Sequence, residues 1–264
     1  MALYKYDGTE IAVVAQAIDY DKHIKSVNHR GYNSIAPENT LPAFKLSREM
    51  GFRYVETDIG FTSDDVAVCC HDSEISRVSN GTGYIEQMTF TQLRQYDFSK
   101  TKPAYSPCLI PSFEEFIKLC KDISLHPYIE LKQTGSYTQA QIESIVDMVK
   151  AAGMDGDVTY ISFSSTYLGY VKDYEASARL GLLASTASSE TITTAQGLKT
   201  STNEVYIGCG NSAEAVSLCK AAGIPMEVWT IDNIDVIKAL DPYITGVTSN
   251  IRHAGKILYE EGMT

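Results

Sequence analysis

Eight short β-rich runs separated by amphipathic stretches are the feature that most restricts how this chain folds. The runs cover 26–31, 54–62, 126–132, 158–164, 178–185, 204–210, 225–231 and 246–250, and the stretches between them cover 40–51, 113–122, 138–153, 165–176, 190–199, 212–223, 233–240 and 251–262. A strand followed by a helix, repeated, sets successive strands parallel with the helices outside, and eight such units close the sheet on itself. The pattern predicts an α/β fold, a (β/α)8 TIM barrel. Thr40 ahead of Pro42 and Ser212 ahead of Glu214 mark helix starts, and Gly51, Gly153 and Gly223 mark helix ends.

The rhythm breaks once. The second and third runs start at 54 and 126, so one unit carries an insertion of roughly 40 residues. Within it, 66–72 reads as a short strand beside the second, and 73–110 holds turn residues such as Asn80-Gly81-Thr82-Gly83. The stretch 73–110 has too few apolar residues for a separate core. It is expected to form a cap within a single domain spanning 1–264, with 1–25 as an N-terminal extension.

Composition limits the partners. The 22 Lys and Arg face 33 Asp and Glu, a formal charge of −11, which argues against nucleic acid and against an anionic membrane surface. An anionic small molecule would need a local positive site. No stretch approaches the roughly 20 apolar residues of a membrane helix. The run 11–18 ends in Ala15-Gln16-Ala17 but follows Asp7 and Glu10 where a basic segment belongs, so it reads as structure rather than a leader. Six cysteines without metal-type spacing read as buried free thiols, which fits a reducing, cytoplasmic setting; an extracellular one would follow if the chain were a piece of a larger surface protein. No feature of the sequence sets an oligomeric state.

Chemistry-bearing residues gather at the carboxyl ends of the early strands, where barrel enzymes build their sites. His29-Arg30 closes the first strand, Glu56 and Asp58 the second, His71-Asp72 the short strand, and Glu130 with Lys132 the third. The side-chain period of a strand is two, so Glu56 and Asp58 share one face, as do Glu130 and Lys132. Three carboxylates facing inward repel unless they share protons or bind a cation, and oxygen-only ligands suit Mg2+ or Ca2+. His29 and His71 suit general acid and base work near neutral pH, and Arg30 and Lys132 suit a phosphate. The set reads as metal-assisted phosphodiester cleavage.

Other motifs carry less. His23, His126 and His253 lack such company and read as surface or packing residues. Gly81-Thr82-Gly83 and Gly208-Cys209-Gly210 lack the context of a nucleotide site. Thr248-Ser249-Asn250 reads as the N-cap of the last helix, with the phosphate cup that many barrels carry late in the sequence as the alternative.

His29-Arg30-Gly31, Pro37-Glu38-Asn39-Thr40, Glu56-Thr57-Asp58, His71-Asp72 and Glu130-Leu131-Lys132 follow one another as the motifs of the glycerophosphodiester phosphodiesterases do. The chain resembles that family closely through 26–132 and more loosely beyond, where Val228-Trp229-Thr230 is similar to a late-strand pattern. The resemblance implies a TIM barrel with an insertion after the second strand. It also implies divalent-metal-dependent hydrolysis of glycerophosphodiesters to an alcohol and sn-glycerol 3-phosphate. Carried over by position, it makes His29 and His71 the acid and base pair without saying which is which. Glu56, Asp58 and Glu130 become the metal ligands, and Arg30 and Lys132 the phosphate contacts. Glu38 and Asn39 become supports behind them, and Trp229 an apolar wall for the glycerol. Two rival readings share the features: a phospholipase D or sphingomyelinase D-like enzyme acting on intact lipids, and a module that binds or degrades glycerol-phosphate polymers.

Overall fold

In the computed structural model, residues 3–4, 10–11, 18–132 and 136–263 are described. The N-terminal extension expected over 1–25 and the 11–18 run lie largely outside the described residues; the first contributes an antiparallel ribbon of β1 (Leu3–Tyr4) and β2 (Glu10–Ile11).

Eight parallel strands form the barrel: β3 (Lys25–Asn28), β4 (Tyr54–Phe61), β6 (His126–Leu131), β7 (Thr159–Ser162), β8 (Arg179–Leu183), β9 (Val205–Cys209), β10 (Met226–Val228) and β11 (Ile244–Ser249). Each pairs with the next, and β11 returns to β3 through Gly246 to Lys25 and Ser249 to Asn28, which closes the sheet. The first strand pairs with β4 over two positions only, so the far half of β4 has a free edge. A short antiparallel strand, β5 (Ala67–Cys69), takes that edge at Ile59 to Phe61. This pairing carries β4 past its two carboxylates to Phe61, in keeping with the run 54–62.

Helices α1 (Leu41–Glu49), α3 (Phe113–Ile123), α4 (Gln139–Ala151), α5 (Ser165–Tyr174), α6 (Ser189–Leu198), α7 (Ala213–Ala222), α8 (Ile234–Lys238) and α9 (Ala254–Glu260) follow the strands, with α2 (Phe90–Leu93) in the insertion. Their ends follow local chemistry. Ser112 and Glu115 form a capping box at α3, as Thr138 and Gln141 do at α4, and Gly223 ends α7 at φ 65°. Thr40 and Ser212 are N-caps as expected. The last helix is different: it starts at Ala254 with His253 as its cap, so Thr248-Ser249-Asn250 are not its N-cap.

The main core lies between strands and helices, with the ring of Phe44 of α1 packed at a tilt 4.5 Å from that of Phe116 of α3. Inside the barrel Val27, Tyr128, Ile161, Leu183 and Tyr206 pack together. Gly181 makes room for them, since a Cβ there would fall 2.3 Å from the Tyr206 ring. Residues 73–110 pack over Ile75, Val78, Ile85, Leu93, Phe98 and Ile110, and this cluster draws on Val68 of β5 and on Cys70 just after it. All six cysteines are buried free thiols. No helix among the described residues is long and apolar enough to cross a membrane.

Candidate active site

The site forms where β3, β4, β5 and β6 end. Just past β3 the backbone turns left-handed at Arg30 (φ 54°) and Gly31 (φ 75°). A side chain at Gly31 would fall 2.7 Å from Ala43 Cβ, so glycine lets the turn pack on α1. The turn aims the Arg30 backbone N–H at Glu56 Oε2, 2.9 Å away. A second left-handed residue, Asn39 (φ 55°), donates through Nδ2 to Asp58 Oδ2 at 2.9 Å and accepts from Thr57 Oγ1 at 2.9 Å. Two strained backbone positions therefore hold the two carboxylates of β4 in place.

Glu56, Asp58 and Glu130 each bring one oxygen to within 4.8 Å of the others. Glu56 Oε1, Asp58 Oδ1 and Glu130 Oε1 are buried and make no hydrogen bond, although Lys132 Nζ stands 3.0 Å from the Glu130 oxygen and 3.3 Å from the Asp58 oxygen. Arg30 Nε stands 3.2 Å from the other oxygen of Asp58. Burial and then the neighbouring acids push Glu56 well above the usual carboxylate range and Glu130 up to about 7. Burial acts on Asp58 in the same sense, but Arg30 and Lys132 outweigh it and hold Asp58 at about 2. Three buried carboxylate oxygens that converge with only the Lys132 ammonium beside two of them are what a divalent cation satisfies, so this donor set fits Mg2+ or Ca2+.

The histidines flank this cluster, each fixed through Nδ1. His29 Nδ1 lies 2.7 Å from Asn250 Oδ1, which also accepts from Asn33 Nδ2 at 2.7 Å. Asn250 Nδ2 in turn donates to Asp232 Oδ2 at 2.7 Å. That second bond fixes which end of the amide faces the ring, so His29 donates from Nδ1 and keeps Nε2 as an acceptor. Burial and then the Arg30 charge lower His29 below its ordinary pKa. His71 Nδ1 lies 2.6 Å from Asp72 Oδ1. Glu38 accepts from Arg30 at 3.0 Å and from Arg77 of the insertion at 2.7 and 2.8 Å, and Arg77 also binds Asp72.

A cavity of about 260 Å3 opens from these groups into the barrel. Its walls include Trp229, Phe163, Leu183 and Tyr206, with Glu227 deeper in, accepting from Tyr128 Oη at 3.2 Å. Trp229 stands edge-on to Phe163 at 5.6 Å, and its buried Nε1 has no partner, so the ring offers a donor as well as an apolar face.

All ten residues singled out in the sequence are thus found in one place: His29, Arg30, Glu38, Asn39, Glu56, Asp58, His71, Glu130, Lys132 and Trp229 line the cavity or contact residues that do. His23, His126 and His253 stand apart from it; His253 is a buried helix cap. Asn250, Asp232 and Arg77 were missed. The signal for Asn250 was its position immediately after the last strand, at the catalytic end of the barrel; Arg77 had no comparable signal.

The profile of the glycerophosphoryl diester phosphodiesterase family matches residues 29–250. A glycerophosphodiester phosphodiesterase of Caldanaerobacter subterraneus subsp. tengcongensis is 27% identical over 208 residues, covering 78% of this chain and 85% of that protein. One of Bacillus subtilis is 25% identical over 245 residues, covering 86% and 83%. Among solved structures, an Oleispira antarctica phosphodiesterase in complex with the product sn-glycerol-3-phosphate superposes with a TM-score of 0.81 at 25% identity, over 92% of this chain and 98% of that one. With the barrel, the carboxylate cluster and the paired histidines in their motif positions, the chain belongs to the glycerophosphoryl diester phosphodiesterase family.

Proposed function

We propose that this chain hydrolyses glycerophosphodiesters to an alcohol and sn-glycerol 3-phosphate, with His29 and His71 as base and acid. The observation that carries the reading is the convergence, at one cavity mouth, of two oriented imidazoles, two cations and three buried carboxylate oxygens. Glu56, Asp58 and Glu130 would hold a divalent cation, Mg2+ or Ca2+, which when bound would supply Lewis-acid chemistry to the attacking oxygen and the phosphate.

The chain's own groups do the rest. Arg30 and Lys132 bind the phosphate oxygens and offset the charge that grows on them as the bond to phosphorus breaks. His29, kept neutral by burial, takes at Nε2 the proton of the attacking oxygen, a water or the glycerol 2-hydroxyl; in the second case the cyclic phosphate that forms is then opened by water, with the two histidines exchanging roles. That leaves His71 to protonate the departing alkoxide, with Asp72 holding its Nδ1–H. Trp229 covers the glycerol, and Glu38 and Asn39 hold Arg30 and Asp58 in register.

The test is release of glycerol 3-phosphate from glycerophosphocholine by purified protein, before and after chelation and with Mg2+ or Ca2+ restored. Loss on chelation, recovery on restoration and loss in His29→Ala are expected. Activity that survives full chelation or His29→Ala would overturn the reading.

A further inference from the structure

A second cavity, of about 480 Å3, lies beside the first, and His71 and Lys132 line both. A phosphodiester bound at that junction has two substituents to place, and the two cavities offer one place each. The first is walled by barrel residues and Trp229, and its tryptophan donor is buried. It suits the glycerol half common to every substrate. The second opens between the end of β4, the insertion and the start of α4, on Thr62, Ser63, Glu86, Tyr137 and Gln141.

Most polar groups of the second cavity are already committed. Lys132 is shared by Glu130 and Asp58, and Asp72 by His71 and Arg77. Thr62 Oγ1 donates to Asp64, Tyr137 Oη to the Ile59 carbonyl at 2.8 Å, and Gln141 Nε2 to Asp65 at 2.8 Å. Glu86, on the insertion, has no hydrogen bond or ion pair among the described residues. It is the one ionised lining group left to meet a ligand.

Resting on the function proposed above, we propose that the second cavity is the subsite for the leaving alcohol and that Glu86 selects there for small amino-alcohols over uncharged polyols. His29 lines the first cavity and not the second, whereas His71 reaches both, so the placement accounts for His71 delivering its proton to the leaving oxygen. Glu86 is exposed, and an exposed ion contact contributes a factor of a few rather than of thousands. Selection is therefore graded.

The experiment compares kcat/KM for glycerophosphoethanolamine and glycerophosphoglycerol in the cation-loaded enzyme. The ratio is expected to favour the ethanolamine diester and to fall about three- to tenfold in Glu86→Gln, and further in Glu86→Lys. Ser63→Lys, which places a positive charge on another exposed wall of the same cavity, is expected to lower the ratio in the same direction. A ratio that stays within twofold of wild type in all three variants overturns the assignment of Glu86. A wild-type enzyme that cleaves neither diester overturns the function on which the assignment rests, and the assignment with it.

Discussion

Arg77 grips Glu38 through both of its terminal nitrogens while its Nε binds Asp72. One residue of the insertion thereby joins the partner of His71 to the partner of Arg30. A planar guanidinium can hold two carboxylates at fixed angles, whereas an ammonium is a point charge. Arg77→Met is expected to lower kcat by about ten- to a hundredfold, the size of effect usual for groups that orient site residues. KM should change less, and Arg77→Lys should recover only part of kcat. Steady-state kinetics on glycerophosphocholine decide it, and an unchanged kcat would separate the insertion from the chemistry.

Removing either imidazole has a larger effect. His29→Ala and His71→Ala should each lower kcat by about 10²- to 10⁴-fold, the range for loss of a positioned acid or base. Both side chains are only partly buried, so circular dichroism and melting should show the fold retained.

His29 also sets a pH limb. Burial and Arg30 lower its pKa below 6.5, while the bond to Asn250 acts to raise it. The neutral form therefore persists below pH 6.5, and the acid-side fall of kcat/KM should lie below that value. In Asn250→Ala the raising contact is gone, so the limb should move to still lower pH as kcat drops. A pH profile measured in the cation-loaded enzyme shows both.

Glu130 predicts how the metal-free protein responds to pH. Burial, then Asp58, raises it from 4.5 to about 7, so the folded state keeps a proton that the unfolded chain has lost. The associated stability is complete below pH 4.5 and disappears as pH rises through 7. Asp58, at about 2, stays ionised from pH 5 to 8 and adds no slope there. Chelated protein should therefore melt at lower temperature at pH 8 than at pH 6. A bound cation uses the ionised form, so the gain in Tm on adding Mg2+ or Ca2+ should be larger at pH 8 than at pH 5. Equal gains at the two pH values would contradict the carboxylate cluster as the binding site.

The barrel depends on its outer layer. Phe44 is fully buried against Phe116, and Phe44→Ala should cost about 3–5 kcal/mol. Chemical denaturation would register this as a lower midpoint with an unchanged slope.

What the sequence made legible was short-range. Glu56 and Asp58 share a face because of the two-residue strand period, and neighbouring motifs placed His71 and Glu130 near them. Strand extents were legible as well: the run 54–62 anticipates β4 at Tyr54–Phe61, and 66–72 anticipates the short strand beside it. Asn250 was misread because its partner His29 is 221 positions away, and a polar triplet before a helix has a local use as a cap. Arg77 and Glu86 sit on short 3-10 turns whose orientation comes from packing on Ile75 and Ile85 rather than from any periodic pattern.

Closure of the ring between β11 and β3 carries a consequence for how activity is gained and lost. The carboxylates proposed to hold the cation belong to β4 and β6, which pair directly with each other. The orientation of His29 arrives with the last strand, through Asn250. Opening that seam alone would separate the two, taking from His29 the Asn250 contact that fixes its ring while the Glu56, Asp58 and Glu130 strands stay paired. The joint between the chain's first and last barrel strands thus acts as a proofreading step: only a completed ring is a working enzyme.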